Sequence, residues 1–329
     1  MLTLINEVLD IARVEAGHVE LSVEPIALSD VIPESCALVR PLADERNIRL
    51  VENSATLVRY HVLADRQRLK QVLINLLSNS IKYNRVGGQV EVSSYQIPHD
   101  RIRIAVRDTG AGIAADDLPK LFTPFERLSA ANSNIEGTGL GLALSQRLVA
   151  AMGGKLGVES ILGQGSTFTI DFPMVASPVE RLSNLPGHGD SADTVTAEQR
   201  NYTALCIEDN LSNLRLIEAI LESRPKITLL SAMQGSMGLD LARQHNPDVI
   251  LLDLNLPDIS GKEVLARLRQ SAITRDIPVI VISADATPTQ IQRLLAAGAR
   301  AYLTKPLDVG RFLEVVDEVL LEAGVSNDL

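Results

Sequence analysis

Two rhythms of apolar and polar positions divide the chain. Between Asp65 and Tyr83, Leu69, Val72, Leu73, Leu76, Leu77 and Ile81 recur about every 3.6 residues, which predicts an amphipathic helix with Asp65 placed to cap its start. Strands are predicted at Gln89–Gln96 and Arg101–Arg107, then a glycine-rich stretch, a helix over Leu142–Met152 and a final hairpin ending near Phe172-Pro173. From Thr203 onward the rhythm changes. Short apolar runs at Ala204–Ile207, Ile227–Leu230, Val249–Leu252, Val279–Ile282 and Ala301–Leu303 alternate with helix-period segments. That alternation predicts a doubly wound parallel sheet.

The ends of the first region read differently. Met1, Leu4, Val8 and Ile11 fall at heptad spacing, Ile5, Leu9 and Ala12 widen the stripe, and Gly17 is placed to end a helix. So wide an apolar face on one short helix predicts half of a helical hairpin. Periodicity is lost from about residue 174 to 201, where Ser183-Asn184-Leu185-Pro186-Gly187-His188-Gly189-Asp190-Ser191 has the composition of a linker. The expected organisation is therefore 1–27 helix and connector, 28–175 first domain, 176–201 linker and 202–329 second domain.

Composition narrows the classes. With 329 residues and 46% apolar content, two domains can each bury a core. A net charge of −10 argues against a nucleic-acid-binding surface, which needs a basic patch. Two cysteines, Cys36 and Cys206, lack metal-ligand spacing and are too few for a disulfide framework, so a reducing, cytoplasmic setting is expected. No apolar run reaches the roughly 18–20 residues of a membrane span, and any membrane tether is expected upstream.

Candidate chemistry lies at two places. In the first domain, Asn75, Asn79 and Lys82 share one helix face, roughly opposite the leucine stripe. Asparagine carbonyls suit a hard cation such as Mg²⁺ and a lysine meets phosphate charge, although an ordinary solvated face has the same look. Asp108-Thr109-Gly110-Ala111-Gly112 follows a strand. A carboxylate there can accept from an adenine amino group, and a plain turn would also explain it. Glu136-Gly137-Thr138-Gly139-Leu140-Gly141 opens a helix, and free backbone N–H groups at such a start cradle phosphates. No Gly-Lys-Ser/Thr follows, so this is not a Walker A loop.

In the second domain, Glu208-Asp209, Asp253, Ser283 and Lys305 all fall at strand ends that open on one edge of the sheet. Three carboxylates brought together repel, so such a site wants a divalent cation. A lysine and a hydroxyl beside it could hold a phosphoryl group.

The order of these motifs resembles the sensor histidine kinases, whose ATPase superfamily includes gyrase and the Hsp90 chaperones. Asn75-Leu76-Leu77-Ser78-Asn79-Ser80-Ile81-Lys82-Tyr83 resembles the N box. Asp108 to Gly112 resembles the first glycine box, Leu121-Phe122-Thr123-Pro124-Phe125-Glu126-Arg127 the F box, and Gly137-Thr138-Gly139-Leu140-Gly141 the second glycine box. The resemblance implies a two-layer α/β sandwich that binds ATP. Asn79 would ligate Mg²⁺, Asn75 would lie beside the reacting phosphate, Lys82 would contact phosphate, Tyr83 would pack near adenine and Asp108 would read its amino group. The stretch from Phe122 to Gly141 would form a mobile lid over the nucleotide.

Residues 203–323 resemble the response-regulator receivers, which implies a flavodoxin-like five-stranded sheet. In that family Asp253 would accept the phosphoryl group. Glu208, Asp209, Asp253 and the Asn255 carbonyl would hold Mg²⁺, Ser283 and Lys305 would contact the phosphoryl group, and Tyr302 would be the aromatic switch. Lys305-Pro306 is a candidate cis bond.

The opening helix is similar to the end of a kinase dimerisation hairpin. The five histidines, His18, His61, His99, His188 and His245, all lack the context of the acceptor histidine. Together the resemblances imply a hybrid sensor histidine kinase acting in a two-component phosphorelay. Its expected partners are a histidine-bearing dimerisation or phosphotransfer domain and a downstream response regulator, with a homodimer in the full-length protein. The competing expectation is a non-catalytic module that binds ATP or partners and transfers nothing.

Overall fold

The computed structural model describes residues 21–53, 60–126, 138–178, 201–284 and 287–326, the last four by backbone alone. The opening helix with His18, the central linker with His188, and Arg127 to Gly137 lie outside the described residues. The chain divides into two compact units, 1–176 and 177–329. None of the described helices is long and apolar enough to cross a membrane.

The first unit is a mixed sheet covered by helices. Its elements are β1 (Val23–Ala27), α1 (Leu28–Glu45), β2 (Arg49–Glu52), β3 (His61–Asp65), α2 (Arg66–Lys82), β4 (Gln89–Ile97), β5 (Arg101–Asp108), α3 (Gly141–Ala151), β6 (Lys155–Ile161) and β7 (Gly165–Val175). The strands run β1-β3-β7-β5-β4-β2, with β6 also paired to β7. The pairs are antiparallel except β2 with β4. Leu69, Val72, Leu73, Leu76, Leu77 and Ile81 of α2 are all buried, as their period requires. They meet Ile102, Ile104, Val106, Ile170 and Phe172 of the sheet in one core. Arg103 and Asp171, opposite each other in the register of β5 and β7, form a two-pronged ion pair at 2.7 and 2.8 Å.

The expected boundary at residue 28 needs correction, because β1 lies before it and pairs along its whole length with β3. Pro25 hides this strand in the sequence, but proline is tolerated on a strand at the end of a sheet, where its missing N–H breaks no ladder. Helix α1 also escapes a reading by local propensity, since it carries Pro33 and Pro41. Burial of Leu28, Val31, Ile32, Cys36, Val39 and Ala43 along one stripe outweighs those breaks. Both cysteines are free and buried, and burial, with Glu52 nearby, pushes the Cys36 thiol up to about 12.

The second unit is the doubly wound sheet expected, all parallel, in the order β12-β11-β10-β8-β9. Its elements are β8 (Tyr202–Ile207), α4 (Leu211–Leu221), β9 (Ile227–Ala232), α5 (Gly235–His245), β10 (Val249–Asp253), α6 (Gly261–Gln270), β11 (Val279–Ser283), α7 (Pro288–Ala296), β12 (Ala301–Thr304) and α8 (Val309–Ser326). Strands β10 and β11 are buried at every position, which is why they read as unbroken apolar runs. Lys305-Pro306 is cis.

Asp65 performs two tasks at the start of α2. Its Oδ1 accepts from the Arg68 backbone N–H and its Oδ2 from the Ser22 N–H, each at 2.9 Å. Asp65→Ala is expected to cost about 1–2 kcal/mol through loss of the cap, and Asp65→Asn less. Hydrogen-exchange mass spectrometry should show faster exchange in peptides covering the first turns of α2 in the alanine variant. Unchanged protection there would remove the capping role.

Candidate functional site

In the first unit the candidate site is built where α2, the end of β5 and the start of α3 meet. Asn75, Asn79 and Lys82 are half-buried, on the side of α2 away from its leucines. Asn75 is held from two directions. Its Nδ2 donates to Ser145 Oγ of α3 at 2.8 Å, and its Oδ1 accepts from Asn79 Nδ2 in a longer contact of 3.4 Å. Tyr83, just past α2, is exposed, and its carbonyl accepts from the Ala111 N–H at 3.4 Å.

Asp108 ends β5 and is buried, 6% exposed. Its Oδ1 accepts from the Gly110 N–H at 2.8 Å and the Ser166 N–H at 3.2 Å. Burial pushes its carboxyl up, and these two hydrogen bonds offset that only in part. Both of these bonds fall on one oxygen, so the carboxylate is oriented by the backbone. Gly112 has φ +67°, and a Cβ there would lie 2.1 Å from the Ile161 carbonyl oxygen, so only glycine fits this crossing.

Of the second glycine box, Gly137 lies outside the described residues. Thr138 Oγ1 accepts from the Leu140 N–H at 3.3 Å, while the Leu140 side chain is fully buried in the core. Any contact of Leu140 with a phosphate therefore falls to its backbone. Gly139 accepts from the Phe125 N–H at 3.1 Å, which ties the F box to the glycine box, and Gly141 begins α3.

The second unit gathers its expected residues at the carboxyl ends of β8, β10, β11 and β12. Lys305 Nζ donates to Glu208 Oε2 at 2.8 Å and to Asp253 Oδ2 at 2.9 Å. The remaining oxygens are oriented by backbone, since Asn210 N–H donates to Glu208 Oε1 at 3.1 Å and Asn255 N–H to Asp253 Oδ1 at 3.2 Å. Ser283 is buried and its carbonyl accepts from the Lys305 N–H at 2.9 Å, which fixes the start of the lysine loop on β11. Asp209 is buried beside Glu208 in sequence, and Tyr302 lies on β12.

The donor set suits a hard divalent cation. Carboxylate oxygens of Glu208 and Asp253 come within 4.8 Å of each other, and a lysine ammonium already bonds to both.

Several positioning groups escape a reading by motif. Ser145 lies beyond the glycine box, in a helix whose apolar pattern marks it as core. Ser160 and Ser166 share a hydrogen bond at 3.0 Å, and Ser160 also receives the Ile113 N–H at 2.8 Å, beside Asp108. The signal that could have found them is Gly163-Gln164-Gly165-Ser166 at the hairpin entering β7. In the second unit Asp258 accepts from the Gly235 and Ser236 N–H groups at 2.8 and 2.9 Å, tying the loop after β10 to the start of α5. Burial raises the Asp258 carboxyl, but hydrogen bonds from Ser236, Ile259 and Gly235 outweigh it and hold the group well below the usual range.

Comparison with known families assigns a domain to each unit. Residues 64–176 match the histidine kinase-, DNA gyrase B-, and HSP90-like ATPase family, and residues 204–317 match the response regulator receiver domain. The class is thus an ATPase domain joined to a receiver. Among similar proteins are the sensory/regulatory protein RpfC of Xanthomonas campestris pv. campestris, 30% identical over 97% of this chain and 47% of that protein, and the sensor histidine kinase AruS of Pseudomonas aeruginosa, 33% identical over 97% and 32%. The virulence sensor protein BvgS of Bordetella pertussis is 34% identical over 99% of this chain and 27% of its own length. By its two domains and these relatives the chain belongs to the hybrid sensor histidine kinases. It spans less than half the length of each of those three relatives. The solved full-length ShkA in complex with AMPPNP covers 96% of this chain and 89% of its own, with 24% identity and a TM-score of 0.49.

The geometry at Asp108 sets up a clean substitution. Asp108→Asn keeps an oxygen for Gly110 and Ser166 and places an N–H donor where the other carboxylate oxygen was. On the expectation that Asp108 reads the adenine amino group, a donor would then face a donor, and ATP affinity should fall by about 1–3 kcal/mol with the fold retained. Calorimetry giving wild-type affinity would overturn the adenine assignment.

Proposed function

We propose that the first domain binds Mg-ATP and delivers its γ-phosphoryl group to a histidine, from which Asp253 of the receiver takes it onward. None of the five histidines reads as that acceptor; among the described ones, His61 is in β3, His99 in a turn and His245 at the exposed end of α5. The acceptor is therefore assigned to another segment or chain bearing a dimerisation or phosphotransfer helix. A homodimer and a downstream response regulator complete the relay proposed for the whole protein.

At the ATP site, Asp108 would read the adenine amino group and Tyr83 would pack against the ring. Asn79 would hold Mg²⁺, Asn75 and Lys82 would meet the phosphates, and the backbone from Thr138 to Gly141 would cradle them. The protein's part in such a transfer is positioning and charge. In the receiver, Glu208, Asp209, Asp253 and the Asn255 carbonyl would hold Mg²⁺, which supplies charge opposite the incoming phosphoryl oxygens. A carboxylate oxygen of Asp253 forms the new O–P bond as the N–P bond of the phosphohistidine breaks. The imidazole keeps the bonding pair and takes a proton from solvent. Lys305 and the Ser283 hydroxyl would then contact the transferred group.

The observation that carries this reading is the Lys305 ammonium bonded to both Glu208 and Asp253 at the sheet edge. A lysine serving only as a surface charge has no need of two carboxylates at 7% exposure. With a small phosphodonor, mass spectrometry should show one phosphoryl group on Asp253, formed only with a divalent cation. Asp253→Asn should abolish it, because an amide is a poor nucleophile, and Asp209→Asn should mainly raise the cation concentration required. Label that survives Asp253→Asn, or forms equally in chelator, would sink the receiver assignment.

A further inference from the structure

The side chain of Ser145 has a use that the phosphorelay reading leaves unassigned. It lies on α3, one turn beyond Gly141, and is 2% exposed. A buried serine in a helix ordinarily satisfies its hydroxyl within its own helix. Here the hydroxyl reaches across to α2 and receives Asn75 Nδ2 at 2.8 Å. Gly141 contributes to the same cradle, since a Cβ there would lie 2.5 Å from Asn75 Oδ1. The first two turns of α3 thus offer one hydroxyl and one bare backbone position to a single amide.

The hydrogen bonds link the three side chains in series. Asn75 Oδ1 accepts from Asn79 Nδ2 at 3.4 Å, so the two amides can turn over only together, with the Ser145 hydroxyl then donating where it now accepts. With Nδ2 bonded to Ser145 and Oδ1 facing Asn79, the Asn79 amide is in turn oriented with its nitrogen toward Asn75. Its carbonyl oxygen, the atom a hard cation would use, is left to the opposite side.

We propose that Ser145 is a positioning residue: by holding Asn75 against α3 it steadies the Asn75–Asn79 pair that would offer a carbonyl oxygen to the cation of Mg-ATP. This rests on the assignment of Asn75 and Asn79 to Mg-ATP. Ser145 itself touches neither nucleotide nor metal in this account. Its loss should lower the contribution of Mg²⁺ to ATP binding and leave metal-free binding, which depends on Asp108, as it was.

Two measurements on the full chain test this. The first needs no nucleotide. In the ¹H–¹⁵N spectrum the Asn75 side-chain amide pair, assigned by its absence in Asn75→Ser, should exchange slowly in the wild type. It should shift and exchange faster in Ser145→Ala, and return toward wild type in Ser145→Thr, which keeps the oxygen. The second is the ratio of ATP affinities with Mg²⁺ and with chelator, expected to fall about fivefold in Ser145→Ala, the worth of one hydrogen bond. An unmoved Asn75 amide in Ser145→Ala, or a loss of affinity equal with and without Mg²⁺, would overturn the proposal. A wild-type chain that binds no Mg-ATP would instead refute the parent assignment, and the amide spectrum would still judge the contact between Ser145 and Asn75.

Discussion

The receiver depends on one ammonium group. Glu208 and Asp253 end neighbouring parallel strands, so the fold itself forces two carboxylates together at the sheet edge. Without a cation their repulsion would oppose the pairing of β8 with β10. Lys305 resolves this by bonding to both, and its own placement follows from β12 beside β11 and from its N–H bonded to the Ser283 carbonyl. Removing one partner of such a buried set leaves a charge uncompensated, which costs far more than the set contributes when whole.

The ATPase domain solves a different problem with mostly neutral groups. Asn75, Asn79 and Ser145 hold one another by uncharged hydrogen bonds, which orient carbonyl oxygens without the desolvation cost of burying ions. One buried charge remains in that region, Asp108, and backbone N–H groups from two different loops converge on one of its oxygens. Its carboxyl is raised by burial all the same.

Much of the fold was legible in the sequence where burial is one-sided or complete. Helix α2 announces itself because its core face is a clean leucine stripe, and β10 and β11 because strands buried on both faces read as unbroken apolar runs. Elements that break local rules were not legible. Strand β1 contains Pro25 and α1 contains Pro33 and Pro41, and only their packing against β3 and α2 makes them regular. Likewise Asp108, Asp253 and Lys305 could be picked out as strand-end residues in a familiar order. Ser145 and Asp258 could not, since a lone serine or a loop aspartate carries no signal until its partner is known.

The sequence by itself determined the division into two domains, the class of each sheet and the residue types at both sites, because period, punctuation and motif order are local properties of the chain. Tertiary structure alone decided which groups touch. Lys305 meets Glu208 across 97 positions, Ser145 meets Asn75 across 70, and Ser166 meets Asp108 across 58. Contacts at such separations are set by sheet order and helix packing, and no local pattern encodes a distance through space.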